Sequence, residues 1–187
     1  MKIISAQLPT VYLQRISEQD ASEQYVSWLN DPLVNQYLEI RLNHQNLDTI
    51  INFIRDVIAN PNEHLFTIRL KSNNQHIGNI KVGAINRTHN IGEVSLFIGD
   101  KSSWGKGIAR QAIQLISRYS IETLKLRKLS AGAYRPNKAS TFAFINSGYI
   151  EDCILTDHYL INGQPCDLVK VCFFEQQLNQ LPKITLS

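Results

Sequence analysis

No part of this sequence reads as a membrane span, a disulfide scaffold or a polyanion-binding tail, and each lack narrows what the chain can be. No window approaches the roughly 20 consecutive apolar residues of a spanning helix. The apolar run Lys2 to Gln7 after Met1 is too short for the core of a signal peptide. A cytoplasmic protein without a membrane partner is therefore expected. Charge is sparse and nearly balanced, with 19 basic and 16 acidic residues giving a net +3. That falls short of the basic excess of non-specific nucleic-acid binders, so no nucleic-acid partner is expected either. Cys153, Cys166 and Cys172 are an odd number without ligand spacing, which argues against a disulfide framework and a zinc site and leaves them as packing residues. His44, His64, His76, His89 and His158 likewise show no metal spacing and read as surface or hairpin residues. No metal is expected.

At 187 residues and 43% hydrophobic, the chain can bury one sizeable core. A single domain over residues 1–187 is expected, with 1–10 and 176–187 as terminal extensions and the last segment loose. Val11 to Ile16 reads as a strand, and Glu18 to Leu29 as a helix stopped by Pro32. Val34 to Arg41 has no clear period and reads as a loop or short helical turn. Asn46 to Ala59 carries Leu47, Ile50, Ile51, Ile54 and Val57 on one stripe, a second helix. Three antiparallel strands follow, His64 to Lys71, His76 to Ile85 and Ile91 to Ile98. A helix to about Thr123, a strand Lys128 to Tyr134, a helix from Pro136 to Ser147 and a hairpin around Asn162-Gly163 complete the order. The prediction is a mixed α/β fold around one central sheet, flanked by about four helices.

Glu93 to Ala112 is strand, glycine loop and helix start in succession. The first amides of a helix lack internal partners and sit at the positive end of its dipole, so the junction suits an anion. Gly105 and Gly107 let the backbone approach a ligand closely. Ser102-Ser-Trp-Gly105-Lys-Gly107 has neither the Gly-Lys-Ser/Thr ending of a Walker loop nor the third glycine of a dinucleotide fingerprint. From these residues alone, two readings stand: a phosphate site flanked by Lys101, Lys106 and Arg110, or a tight turn beside a solvated basic face.

Together with Asn137-Lys-Ala-Ser140 and Asn146-Ser-Gly148-Tyr149, the loop resembles that of the GNAT superfamily of acetyl-CoA-dependent N-acetyltransferases, and Trp104-Gly-Lys-Gly-Ile-Ala109 is similar to the RimJ/RimL-type branch. The chain departs from the family's Gln/Arg-x-x-Gly-x-Gly/Ala loop at Ser102. The resemblance implies a mostly antiparallel sheet splayed around acetyl-CoA as co-substrate. Phe97 and Ile98 would offer backbone groups to pantetheine. The amides of Trp104, Gly105, Lys106, Gly107, Ile108 and Ala109 would hold the pyrophosphate, with Lys101, Lys106 or Arg110 near the 3′-phosphate. Asn137 would face the thioester and Ser140 the CoA arm, although Asn137 also reads as a helix N-cap.

Acetyl transfer needs a neutral amine and a destination for its proton. Glu93 is the candidate base, with an exposed strand carboxylate as the alternative. Many family members carry a tyrosine acid seven residues after the helix asparagine, but Phe144 stands there. Tyr134, Ser140 and Tyr149 are weaker substitutes, Tyr149 reading as core. For the acceptor, Tyr37, Glu39 and Arg41 lie in the irregular stretch after Pro32. Tyr25 to Pro32 with Tyr37-Leu-Glu39-x-Arg41 looks like acetyltransferases acting on nucleotide-linked amino sugars, Arg41 and an aromatic holding diphosphate and base. The alternatives are a protein N-terminal acetyltransferase and a catalytically silent CoA-binding module. A monomer or homodimer is expected, the terminal hairpin offering an edge to a second chain.

Overall fold

The computed structural model describes residues 3–7 and 10–186. Its strands are β1 (Ile3–Ser5), β2 (Val11–Arg15), β3 (His64–Leu70), β4 (His76–Asn86), β5 (Ile91–Ile98), β6 (Lys128–Tyr134), β7 (Ile150–Ile161), β8 (Gln164–Phe174) and β9 (Thr185–Leu186). They form one sheet in the order β7-β8-β6-β5-β4-β3-β2-β1-β9. The helices are α1 (Glu23–Asn30), α2 (Pro32–Asn35), α3 (Leu47–Ala59), α4 (Ile108–Glu122) and α5 (Lys138–Ile145). The mixed, mostly antiparallel sheet of the sequence reading is borne out, with one short helix, α2, added.

Among the described residues only β5 and β6 run parallel, and their pairing decides where the site lies. It consists of Ile91 opposite Lys128, Gly92 opposite Leu129 and Glu93 opposite Ser130, and goes no further. Beyond that point β5 stays with β4 through Ile98 opposite Gly78, while β6 stays with β8 through Tyr134 opposite Leu168. Two strands that keep their outer neighbours while parting from each other leave a wedge in the sheet. Val94 to Ile98 thus present one row of backbone groups to the gap.

Apolar cores on both faces hold the wedge open. On one face α4 buries Ala112, Ile113 and Ile116 against Ile80, Val82, Leu129 and Ala131. On the other, α1 and α3 bury Tyr25, Trp28, Leu29, Ile50, Ile54 and Val57 against Leu65. Each stripe recurs at the spacing of one helix face, which is why the sequence reveals it.

Four expectations are corrected. The helix expected from Glu18 is a 3-10 turn, Glu18–Asp20, and α1 begins after Ser22, whose hydroxyl accepts from the Tyr25 amide at 3.2 Å. The segment expected to be loose docks instead. A 3-10 stretch Glu175–Gln180 returns the chain so that β9 pairs with β1, and Arg118 Nη2 donates to the Leu178 and Leu181 carbonyls at 2.8 Å each. Of the three cysteines expected to pack, only Cys172 is buried, while Cys166 is half-buried and Cys153 exposed. His64 and His76 lie on the β3-β4 hairpin, as one of the two readings had it, but are half-buried rather than on the surface: His64 packs on Tyr119, and His76 sits among Tyr25 and Trp28.

Candidate active site

The loop between β5 and α4 takes its shape from short-range polar contacts. Asp100 accepts from the Ser102 amide at 3.0 Å and from the Ser102 and Ser103 hydroxyls at 2.8 and 2.9 Å. Trp104 Nε1 reaches back to the Ile98 carbonyl at 2.9 Å. Gly105 and Gly107 both take left-handed backbone, φ +73° and +71°, and Gly107 is the N-cap of α4. A Cβ at either would meet no protein atom within 4 Å, so the loop faces open space. Gly99 has a different task, since a Cβ there would lie 2.1 Å from the Trp28 indole. The Ile108, Ala109 and Arg110 amides, in the first turn of α4, are free to serve an anion. Lys106 and Arg110 are exposed beside them, whereas Lys101 is drawn aside to Asp31 at 2.5 Å.

A cavity of about 740 Å³ fills the wedge. One wall is Glu93 to Phe97 of β5, and the facing wall is Gly132 to Tyr134 of β6 with Asn137, Ser140 and Phe144 of the following helix. Tyr37 and Glu39 line its far side. Glu93, Phe97, Asn137, Ser140, Tyr37 and Glu39 are therefore brought together from three separate stretches of chain. Ile98 and the loop Trp104 to Arg110 lie outside this cavity, at the open end of β5. Arg41 lines an adjoining space of about 1260 Å³ shared with Tyr37, Glu39, Tyr134 and Tyr159.

Glu93 stands at the last parallel pair, where the strands part, with its side chain 46% exposed. Lys170 of β8 donates to its Oε1 at 3.0 Å across the foot of the wedge. Asn137 caps α5, its Oδ1 accepting from the Ser140 amide at 3.2 Å. Its Nδ2 is left for other partners. Phe144 is buried edge-on to Tyr149 with ring centroids 5.0 Å apart. Tyr149 is sealed in the core, exchanging a hydrogen bond with the Ser117 hydroxyl at 2.8 Å, and burial drives its acidity far down.

Arg41 differs most from its expected role. Nη1 donates to the Leu38 carbonyl at 2.9 Å, and Nη2 donates to the Leu160 carbonyl at 3.0 Å and to the Tyr134 hydroxyl at 3.2 Å. Its guanidinium lies 5.2 Å from the Tyr134 ring centroid. Those donors are committed to protein, so Arg41 ties the loop after α2 to the β7-β8 hairpin. Glu39 accepts from the same Tyr134 hydroxyl. Burial and the neighbouring Glu39 raise the pKa of Tyr134, and Arg41 partly opposes them. Tyr37, Tyr134 and Tyr159 form a tilted run with centroids 6.0 and 5.2 Å apart. Lys170, Tyr159 and Asn79, which also border the site, have no signal in the sequence, because they reach it only through sheet register.

A model of the acetyltransferase (GNAT) domain family matches residues 10–149. An uncharacterised N-acetyltransferase, p20, of Bacillus licheniformis is 23% identical over 168 residues, covering 86% of this chain and 93% of that protein. The spermidine N(1)-acetyltransferase of Escherichia coli K12 is 27% identical over 100 residues, 54% of this chain and 53% of that one. Among solved structures, the spermidine N-acetyltransferase of Vibrio cholerae in complex with CoA and spermine superposes with a TM-score of 0.81 at 20% identity, over 91% of this chain and 98% of that one. An acetyltransferase of the GNAT family from Bacillus anthracis gives 0.79 at 17%, over 93% and 99%. At such identities the superpositions speak for the fold. Among the described residues, no helix is long and apolar enough to cross a membrane, and no cluster of His, Cys, Asp and Glu suits a metal ion. The family match spans well over half of the chain and coincides with the splayed sheet and glycine loop, and the chain therefore belongs to the GNAT family of N-acetyltransferases.

Proposed function

We propose that this N-acetyltransferase moves the acetyl group of acetyl-CoA to the primary amine of a small acceptor by direct attack in a ternary complex. The observation that carries the reading is the end of β5-β6 pairing at Glu93 and Ser130. It leaves the inner edge of β5 open to pantetheine amides and sets a carboxylate where the wedge narrows. In this reading the Trp104 to Ala109 amides bind the pyrophosphate, Lys106 or Arg110 meets the 3′-phosphate, and Lys101 contributes only charge. Asn137 Nδ2 faces the thioester and Ser140 the CoA arm.

The chemistry follows from these positions. Glu93 takes a proton from the ammonium, directly or through one water, and Lys170 holds its carboxylate at the foot of the wedge. The freed amine attacks the thioester carbonyl, a C–N bond forms, the C–S bond breaks with its electron pair going to sulfur, and the proton that the attacking nitrogen sheds passes, directly or through water, to the departing CoA thiolate. Phe144 stands in the position of the family's tyrosine acid, and Tyr149 is sealed in the core away from the wedge, so neither protonates that sulfur. Orientation of the two substrates supplies much of the rate without a dedicated acid.

For the acceptor, we infer an amino sugar, which lacks the polycationic character of spermidine, with a nucleotide-linked amino sugar as the fullest form. The charged residues lining the cavity are Glu39, Lys81, Glu93 and Lys170, two acids and two bases. Lys170 neutralises Glu93, and Arg41 with Tyr134 occupies Glu39. A polycation would have to share both carboxylates with these partners. The run of Tyr37, Tyr134 and Tyr159 beside the second cavity suits stacking of a planar base. The competing reading is a polyamine, favoured by the names of the relatives. The RimJ/RimL-type wording of the loop would instead suit a protein N-terminus. Thiol release from acetyl-CoA with glucosamine, a nucleotide-linked amino sugar, spermidine and an N-terminal peptide decides among them. A preference for spermidine would overturn the amino-sugar reading, and CoA binding without any turnover would leave a silent CoA module.

A further inference from the structure

Lys170 of β8 enters the wedge from the far side of β6. It stands opposite Gly132 of that strand, while Glu93 of β5 stands opposite Ser130, two residues earlier. β8 and β5 lie two strand spacings apart, about 10 Å, so the lysine stem has to cross β6 to reach Glu93. Gly132 lets it pass. A Cβ built there would lie 3.4 Å from Lys170 Cδ and 3.3 Å from a Leu168 methyl, so the stem runs over the glycine with no more than contact distance to spare. The ammonium ends beside the last β5-β6 pair, 3.0 Å from Glu93 Oε1, with 20% of the side chain exposed.

That is the place of a substrate. In the reading above, the acceptor reaches Glu93 as an ammonium, gives up a proton and meets the thioester that Asn137 faces. Lys170 presents the same chemical group to the same carboxylate from within the same cavity. Its amine is already tethered there, and a tethered nucleophile has the advantage of an intramolecular reaction over one that must first bind. Lys81, the other lysine of the cavity, is placed differently. Its ammonium lies 2.7 Å from Glu63 Oε2, a carboxylate that does not line the cavity.

We propose that Lys170 is a self-acetylation site, the enzyme's own primary amine taking the acetyl group when acetyl-CoA is bound without an acceptor. The inference rests on the acetyl-transfer reading above and names a second nucleophile for the same site. Glu93 takes a proton from the Lys170 ammonium. The freed amine attacks the thioester carbonyl, a C–N bond forms, and the C–S bond breaks with its electron pair going to sulfur. The proton then shed by nitrogen passes to the CoA thiolate, and Glu93 returns its own to solvent. The products are acetylated Lys170 and the CoA thiol. Acetylation removes the charge of Lys170, which strips Glu93 of its cation and sets a neutral amide where the acceptor amine would stand.

The test incubates the full chain with acetyl-CoA and no amine, and follows the acetyl content of each lysine by peptide mass spectrometry. Lys125, which is exposed, reports the background of chemical acetylation. Lys170 is expected to be acetylated much faster than Lys125, at a rate that saturates with acetyl-CoA, and to release one equivalent of thiol per chain. Glu93→Gln is expected to slow this acetylation by about 10²-fold or more, with Lys125 and the rise in melting temperature on adding CoA unchanged. Lys170 left unmodified while an added amine is acetylated would overturn the proposal and leave transfer to small acceptors standing. Modification at the Lys125 rate, unchanged in Glu93→Gln, would mean chemical acetylation only and would overturn it equally. Saturable modification of Lys170 without turnover of any amine supports the proposal and counts against the small acceptor alone. Neither modification nor turnover, in a chain whose melting temperature still rises with CoA, would overturn both.

Discussion

Glu93 and Lys170 form an ion pair at the foot of the wedge, and in the proposed reaction the same pair would present the base. The bond of 3.0 Å orients the carboxylate, yet 46% of the Glu93 side chain stays open to the wedge, where an ammonium would arrive. Glu93→Gln keeps the shape and removes the base. Turnover is expected to fall about 10²- to 10⁴-fold with a changed pH profile and nearly unchanged CoA affinity. Thiol-release kinetics across pH measures this, and an unchanged profile would remove Glu93 as the base. His64 makes a different prediction. Burial first, then the charges of Arg15 and Arg87, lower its pKa from 6.5 to about 4. In the window between those values the unfolded chain binds a proton that the folded chain refuses, so stability present above about pH 6.5 is lost as the pH falls toward 4. His64→Gln should lose less thermal midpoint than the wild type between pH 7 and pH 4.5. An equal loss would show that His64 does not carry this dependence.

At the scale of elements, the C-terminal return is the part whose importance exceeds its sequence signal. Leu181 is 5% exposed, and its carbonyl helps to satisfy Arg118, itself 7% exposed on α4. Removing residues 175–187 would strip the buried guanidinium of two acceptors, uncover α4 and leave β1 without β9. A loss of about 4 kcal/mol is expected from one buried leucine and two charge-assisted hydrogen bonds, or a fall in melting temperature of roughly 10 °C. Thermal unfolding followed by circular dichroism tests it. A shift below about 2 °C would return the segment to the loose tail that its polar sequence suggests. The β5-loop-α4 junction is the opposite case. Its glycines sit at left-handed backbone that the turn demands, so spacing alone pointed to them.

Across the whole molecule, acetyl-CoA binding should report on the fold, because a ligand bound only by the native state stabilises it by mass action. At a hundredfold excess over Kd, CoA is expected to add about 2.7 kcal/mol, several degrees in the melting temperature. Gly105→Val puts a β-branched side chain at φ +73° and into the open space where the proposed reading seats the pyrophosphate. It should fold, with a lower melting temperature, and show no CoA-dependent rise. A wild-type rise in the variant would mean that the loop is only a turn.

The sequence by itself determined the element order, the two helix stripes over the sheet, the glycine loop and the position of Glu93, because periodicity, turn residues and spacing are local and written along the chain. It also placed Tyr149 in the core and Asn137 at a helix start. Only the tertiary structure decided what faces what. Arg41 became a strap because the Leu160 carbonyl, 119 residues away, came within 3.0 Å. Lys170 met Glu93, and Asn79 met the cavity, through strand register, and register is set by packing across the sheet rather than by any one segment. The point where β5 and β6 part has no local signature. It arises because each strand keeps its outer neighbour, and that competition exists only once the sheet is assembled.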